Sequence, residues 1–132
     1  RLGVTVLRSQ SALLDEVQLI GIDDSENPKQ VARELATLKV DPQRYVILLY
    51  HRPRGLVDAA AAGVDLMISG HTHNGQIVPF NLVVKKVFEQ TVGLFQEGNT
   101  HLYVSPGTGT WGPIMRLGSK GEVSLFNISP RK

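Results

Sequence analysis

The 132-residue sequence has no cysteine, which excludes disulfide staples and thiolate-held metals and leaves histidine, carboxylate or amide groups as the only ligands for an ion. No uninterrupted apolar run approaches the ~20 residues of a helical membrane span. An excess of one charge sign is missing as well. The formal net charge is only +2, with Lys and Arg scattered along the chain instead of forming a stripe, so no nucleic-acid partner is indicated. Internal repeats, low-complexity tracts and linkers are also lacking. What is present, 42% apolar and 20% charged residues, is ordinary for a folded globular chain and suits one domain over residues 1–132.

The distribution of apolar residues predicts an α/β fold. "GVTVLR" (3–8) and "VQLIGID" (17–23) carry clustered or alternating aliphatic residues with polar flanks and are expected to be strands. "DDSENPKQVARELATL" offers Asp and Ser as cap candidates and Pro28 in a first turn, and Val31, Leu35 and Leu38 follow at helical spacing. "RYVILLYH" (44–51), "GLVDAAAAG" (55–63) and "DLMIS" (65–69) give strand, helix, strand, a βαβ unit with parallel strands and Gly63 closing its helix. Residues 81–90 fit helix or strand, 93–105 a hairpin around Gly98 and Asn99, 106–121 a Gly- and Pro-rich loop, and "EVSLFNI" (122–128) a closing edge strand.

His51 and His71 fall just past the carboxyl ends of the two expected parallel strands, the rim where open α/β sheets gather ligands. In "GHTHNG", His71 and His73 are two positions apart and would face the same way if the segment stays extended, separated by ~7 Å along the chain. That separation suits a pair of ions ~3.5–4 Å apart, as in two-metal hydrolytic sites. His51, His71 and His73 are therefore the candidate metal ligands. No side chain is assigned a catalytic role, and none an organic-cofactor role. His101, on the expected hairpin, is read as structural. Asp23 and Asp24 are read as helix-start residues, with Asp23 also near the rim. The "SPGTGTWG" loop is read as a structural turn or substrate-side wall, since no P-loop lysine accompanies it.

These segments, "LLYHRP…GVDLMISGHTHNGQIVP" with "LYVSPGTGTWGPIMRLGSKGEVSLFNI" and "VQLIGIDD", resemble the second half of the calcineurin-like metallophosphoesterases, in particular the bacterial branch carrying GHTHGGQ. Asn74 stands where that branch has Gly. The resemblance implies half of an αββα sandwich, a mixed β-sheet with flanking helices and a C-terminal antiparallel part. It also implies two divalent ions in the intact protein (Mn, Zn, Fe, Mg or Ni), with His51 and His71 on one and His73 on the other. The implied activity is hydrolysis of a phosphoester substrate by metal-activated hydroxide.

The family's DxH, GDxxD and GNH motifs are missing, and "GNTH" at 98–101 has its histidine one place too late. We therefore expect a C-terminal portion whose N-terminal metal-binding half is absent, inactive by itself and metal-free or binding one ion weakly. Localisation stays open between cytoplasm and a membrane association made through an N-terminal segment. Two other readings remain: an assembly domain that self-associates through an exposed sheet edge, and a simple histidine-rich metal-binding module.

Overall fold

The structure is a computed structural model that describes residues 3–129. It is an α/β fold: six strands form one mixed sheet in the order β1-β2-β3-β4-β6-β5, with three α-helices among the described residues. The strands are β1 (Gln10–Leu14), β2 (Val17–Ile22), β3 (Tyr45–Tyr50), β4 (Leu66–Ser69), β5 (Gly93–Glu97) and β6 (Thr100–Val104). The helices are α1 (Gln30–Leu38), α2 (Leu56–Ala62) and α3 (Phe80–Val87), and a 3₁₀ turn covers His73–Gly75. Strands β2, β3, β4 and β6 run parallel, and an antiparallel strand closes each edge. No helix among the described residues is long and apolar enough to cross a membrane.

Register sets the core. Ile20 pairs with Leu48, Leu48 with Met67, and Met67 with Leu102, so one row of side chains crosses the four parallel strands. All four are fully buried. Val31 and Leu35 of α1 and Leu56 and Ala59 of α2 close over the row, which is the buried face that two right-handed crossovers leave to a parallel sheet. Gly63 ends α2 in a left-handed conformation, φ 87°, with its N–H bonded back to the helix.

Several sequence-based expectations needed correction. "GVTVLR" is not a strand: Val4 and Val6 are exposed, and the hairpin partner of β2 is Gln10–Leu14, joined to it through Asp15 at φ 50°. Residue 7 instead lies over the sheet at Gly21, where an added Cβ would come within 2.5 Å of Leu7 Cβ. The alternation in 3–8 lacked a neighbour to pair with, while the true hairpin turn hid inside what looked like a polar connection. "EVSLFNI" forms no strand either, for the same reason: Val123 and Leu125 stay exposed, and the segment is tied down by Glu122 N–H on Gly107 O and Tyr103 Oη on Glu122. Helix α1 begins later than its Asp and Ser suggest. Ser25 and Asn27 build turns before it, with Ser25 Oγ accepting from Asn27 N–H at 3.1 Å and Asn27 Oδ1 from Lys29 N–H at 3.0 Å, and of the ambiguous stretch 81–90 residues 81–87 fall in α3.

Met67 sits in the middle of the buried row, so Met67→Ala should cost about 2–5 kcal/mol. Urea denaturation checks this, with an unchanged slope and a lower midpoint expected.

Candidate functional site

The β3–β4 pairing carries on past the strands. Gly70 N–H donates to His51 O at 3.0 Å, and Ser69 Oγ to Arg52 O at 3.3 Å, so the two strand ends are stitched together at the rim. His51 and His71 meet there, with His71 Nδ1 3.0 Å from His51 Nε2 and their rings edge to face. A 3.0 Å contact of this kind requires at least one neutral imidazole, because two imidazoliums would present proton to proton. Burial is the main cause holding the His71 pKa below its ordinary 6.5, helped by the nearby His51 and Arg52 charges.

The expectation of an extended His71–His73 segment fails. His71 has φ 70°, His73 φ 49°, Asn74 φ 50° and Gln76 φ 50°, a run of left-handed backbone wound into the 3₁₀ turn. The two side chains nonetheless reach the same place: His51, His71 and His73 all line one cavity of about 370 Å³. Asn74 is one of the few non-glycine residues that accept this conformation cheaply. Gly75 has less freedom. At φ 73° its missing Cβ would lie 2.2 Å from Asn81 Cα, so the turn packs against the start of α3 at backbone contact.

His73 is held from behind by groups that the sequence did not single out. Its carbonyl accepts from Ser119 Oγ at 2.9 Å and from Arg116 Nη1 at 3.4 Å. Arg116 also donates to Pro106 O and Gly107 O, at 2.8 and 3.1 Å, gathering the Gly-rich loop beneath the histidine. Gln76 bonds the same loop through Trp111 N–H at 2.6 Å and the Trp111 and Pro113 carbonyls at 2.9 and 3.1 Å. The "SPGTGTWG" loop is thus a wall locked to the histidine turn. Nothing in residue spacing marks Arg116. Gln76 was visible only as part of the GHTHNGQ resemblance.

Asp24 is tied up in a bidentate pair with Arg52, at 2.7 and 3.1 Å, and Arg52 also binds Glu26 at 2.6 Å. The Arg52 hydrogen bonds hold the Asp24 pKa below the usual carboxylate value. Asp23 pairs with Arg8 at 3.2 Å. His101 pairs in register with Leu66, at the opposite end of the parallel strands from the rim, and takes no part in the site.

The donor set fits a share of a metal centre. With metal–nitrogen bonds of about 2.0–2.1 Å, two ligands on one ion stand roughly 3 Å apart, which matches His51 and His71. His73 Nδ1 is buried without a hydrogen-bond partner among the described residues. Burial first, then the Arg116 charge, depresses the His73 pKa and favours the neutral imidazole, the form a ligand must take. Anionic ligands are what the set lacks: among the described residues no three histidine or carboxylate side chains are gathered closely enough to hold an ion.

The chain is 36% identical over 135 residues to an uncharacterized metallophosphoesterase of Campylobacter jejuni, an alignment covering 98% of this chain and 36% of that protein. It is 37% identical over 134 residues to an uncharacterized metallophosphoesterase of Aquifex aeolicus, covering 96% of this chain and 51% of the relative. A Bos taurus transmembrane protein with a metallophosphoesterase domain is 37% identical over 119 residues, 83% of this chain and 27% of its own length. No family model matches, and no solved structure does. With the α/β sheet and the histidine rim in place, the chain belongs to the metallophosphoesterase family. It spans about a third to a half of the length of the bacterial relatives named here.

Gly75→Ala should cost at least the ~1–2 kcal/mol of a left-handed alanine, with the Asn81 clash added, and should loosen the histidine turn. Denaturation followed by Trp111 emission reads both effects. For pH, the folded values of His71 and His73 lie below the ordinary 6.5, so the unfolded chain binds more protons between the two values. Stability is then complete above pH 6.5 and declines as pH falls through it. Urea titrations in chelator from about pH 8 to about pH 5 should show that decline, and His71→Gln should flatten it.

Proposed function

We propose that residues 1–132 form the C-terminal portion of a calcineurin-like metallophosphoesterase domain, and that His51, His71 and His73 are its contribution to a two-metal centre. The protein as a whole would hydrolyse a phosphoester. Carboxylates from outside this sequence would complete the ligand set, and without them the chain is inactive. When bound, divalent ions polarise phosphoryl oxygens and make water a stronger acid at neutral pH.

What supports this is the 3.0 Å approach of His51 and His71, with His73 lining the same cavity. The chain's own work is then positional. The β3 and β4 ends fix two imidazoles against each other, the left-handed turn swings the third into the cavity, and Arg116 with Ser119 prevents its backbone from relaxing. Burial lowers the pKa values of His71 and His73 and so favours the neutral imidazoles that a metal ligand requires.

A second reading, self-association, draws on the sheet's other face and edges, where Leu14 and Leu94 are 60% and 63% exposed. Light scattering that shows a monomer at high concentration would exclude it.

In the full-length protein, His73→Ala should lower bound divalent metal and reduce hydrolysis of an aryl phosphate by on the order of 100-fold or more, at or beyond the loss typical when a metal ligand's support is removed. Metal analysis by mass spectrometry and a chromogenic assay measure the two. Full activity in the variant would overturn the assignment.

A further inference from the structure

The cavity at the histidines has a second wall of opposite chemistry. Phe80, Val83, Val84 and Val87 of α3, with Phe88 and Trp111, make it apolar. No residue of α3 is fully buried: Phe80, Val83 and Val87 are about half exposed and Trp111 two-thirds exposed, although helices normally turn such residues into a core. Phe80 and Trp111 lie nearly parallel, their rings 6.4 Å apart and tilted by 15°, so the wall runs from the helix onto the Gly-rich loop. An apolar surface left open beside a polar rim favours whatever ligand covers it.

The polar groups of the cavity, apart from the imidazoles, have already found partners within the protein. Thr72 Oγ1 donates to Thr91 O at 2.5 Å, and the Gln76 amide is spent on Trp111 and Pro113. A sugar or nucleobase placed there would lose its water and gain no hydrogen bonds, a large penalty for polar groups. An aliphatic chain loses nothing. Arg54 stands at the margin, its guanidinium 5.0 Å from the Phe88 ring centre, and α3 carries Lys85 and Lys86 in its last turn. The cavity therefore joins an anion-attracting rim to a hydrocarbon-compatible wall.

Building on the proposed phosphoesterase reading, we propose that the substrate is an amphiphile, a phosphoester whose organic part is an aliphatic chain lying along α3 and Trp111, with its phosphate toward His51, His71 and His73. Each methylene taken out of water tightens binding roughly fourfold. Chain length should therefore govern affinity.

Trp111 is the only tryptophan in the sequence, so its emission reports on this wall without any turnover. The full chain is titrated with methyl-, butyl- and octylphosphonate below their aggregation limits, and with adenosine monophosphate. Octylphosphonate should shift Trp111 emission to the blue and bind about tenfold or more tighter than butylphosphonate, with methylphosphonate and the nucleotide weakest. Val84→Asp, checked for retained helicity by circular dichroism, should erase the advantage of the longer chain. Phosphatidic acid vesicles form a separate arm. A shift with vesicles as well as monomers assigns the chain to a bilayer phosphoester, and a shift with monomers alone to a soluble one.

Affinity independent of chain length, or tightest for the nucleotide, overturns the proposal, and the wild-type series decides this even if the variant misfolds. Aryl phosphate hydrolysis that depends on His73 would leave the phosphoesterase reading standing in that case. Chain-length-dependent binding without such hydrolysis would instead remove the enzyme and keep the amphiphile site.

Discussion

The parallel register of β3 on β4 is the constraint on which the site depends. Leu48 opposite Met67 and Leu49 opposite Ile68 bring residue 51 level with residue 70, where the Gly70 N–H to His51 O bond closes the pairing. A slip of one residue would turn His51 to the other face of the sheet. The fully buried row of Ile20, Leu48, Met67 and Leu102 forbids that slip, because each side chain contributes about 1.5–3 kcal/mol by leaving water. Four non-glycine residues between 71 and 76 adopt left-handed backbone, at ~1–2 kcal/mol each for all but Asn74. The strain is local and the core is not, so the core can hold it, with Gln76 and Arg116 supplying the hydrogen bonds that fix the turn in place.

The central part of the fold was legible because burial there dictates composition. β3, α2 and β4 are bounded by clear signals: an unbroken apolar run, an Ala-rich helix with Gly63 behind it, and a second apolar run. The edges were less legible, since a strand there depends on having a neighbour. Residues 3–8 and 122–128 alternate well and pair with nothing, whereas Gln10–Leu14, which looks polar, pairs along its whole length with β2.

For the site, histidine positions past strand ends were readable because topology alone brings His51 to His71. The backbone of 71–76 was not. Left-handed residues other than glycine leave no sequence mark, and the groups that stabilise them, Arg116 and Ser119, lie more than forty positions from His73, at separations of 43 and 46. That distance also explains why the Gly-rich loop looked like a turn of its own. Its glycines let the chain pass close beneath the arginine, while its function as a wall depends on a partner elsewhere in the sequence.

Electrostatics bears on how readily three imidazoles that line one cavity would take a cation. The carboxylates nearest the rim, Asp24 and Glu26, are both consumed by Arg52. Burial is the main cause that lowers the His71 and His73 pKa values, with Arg52 and Arg54 adding to it at His71 and Arg116 at His73, so gaining positive charge is disfavoured at these rings. A lone divalent ion entering this rim would meet neutral ligands in a partly buried site, where an unbalanced charge costs more than in water. On the proposed reading, carboxylates brought by the rest of a metallophosphoesterase would admit the ions, and a phosphoryl group would then find cations on one side and, on the other, the apolar side chains of a helix.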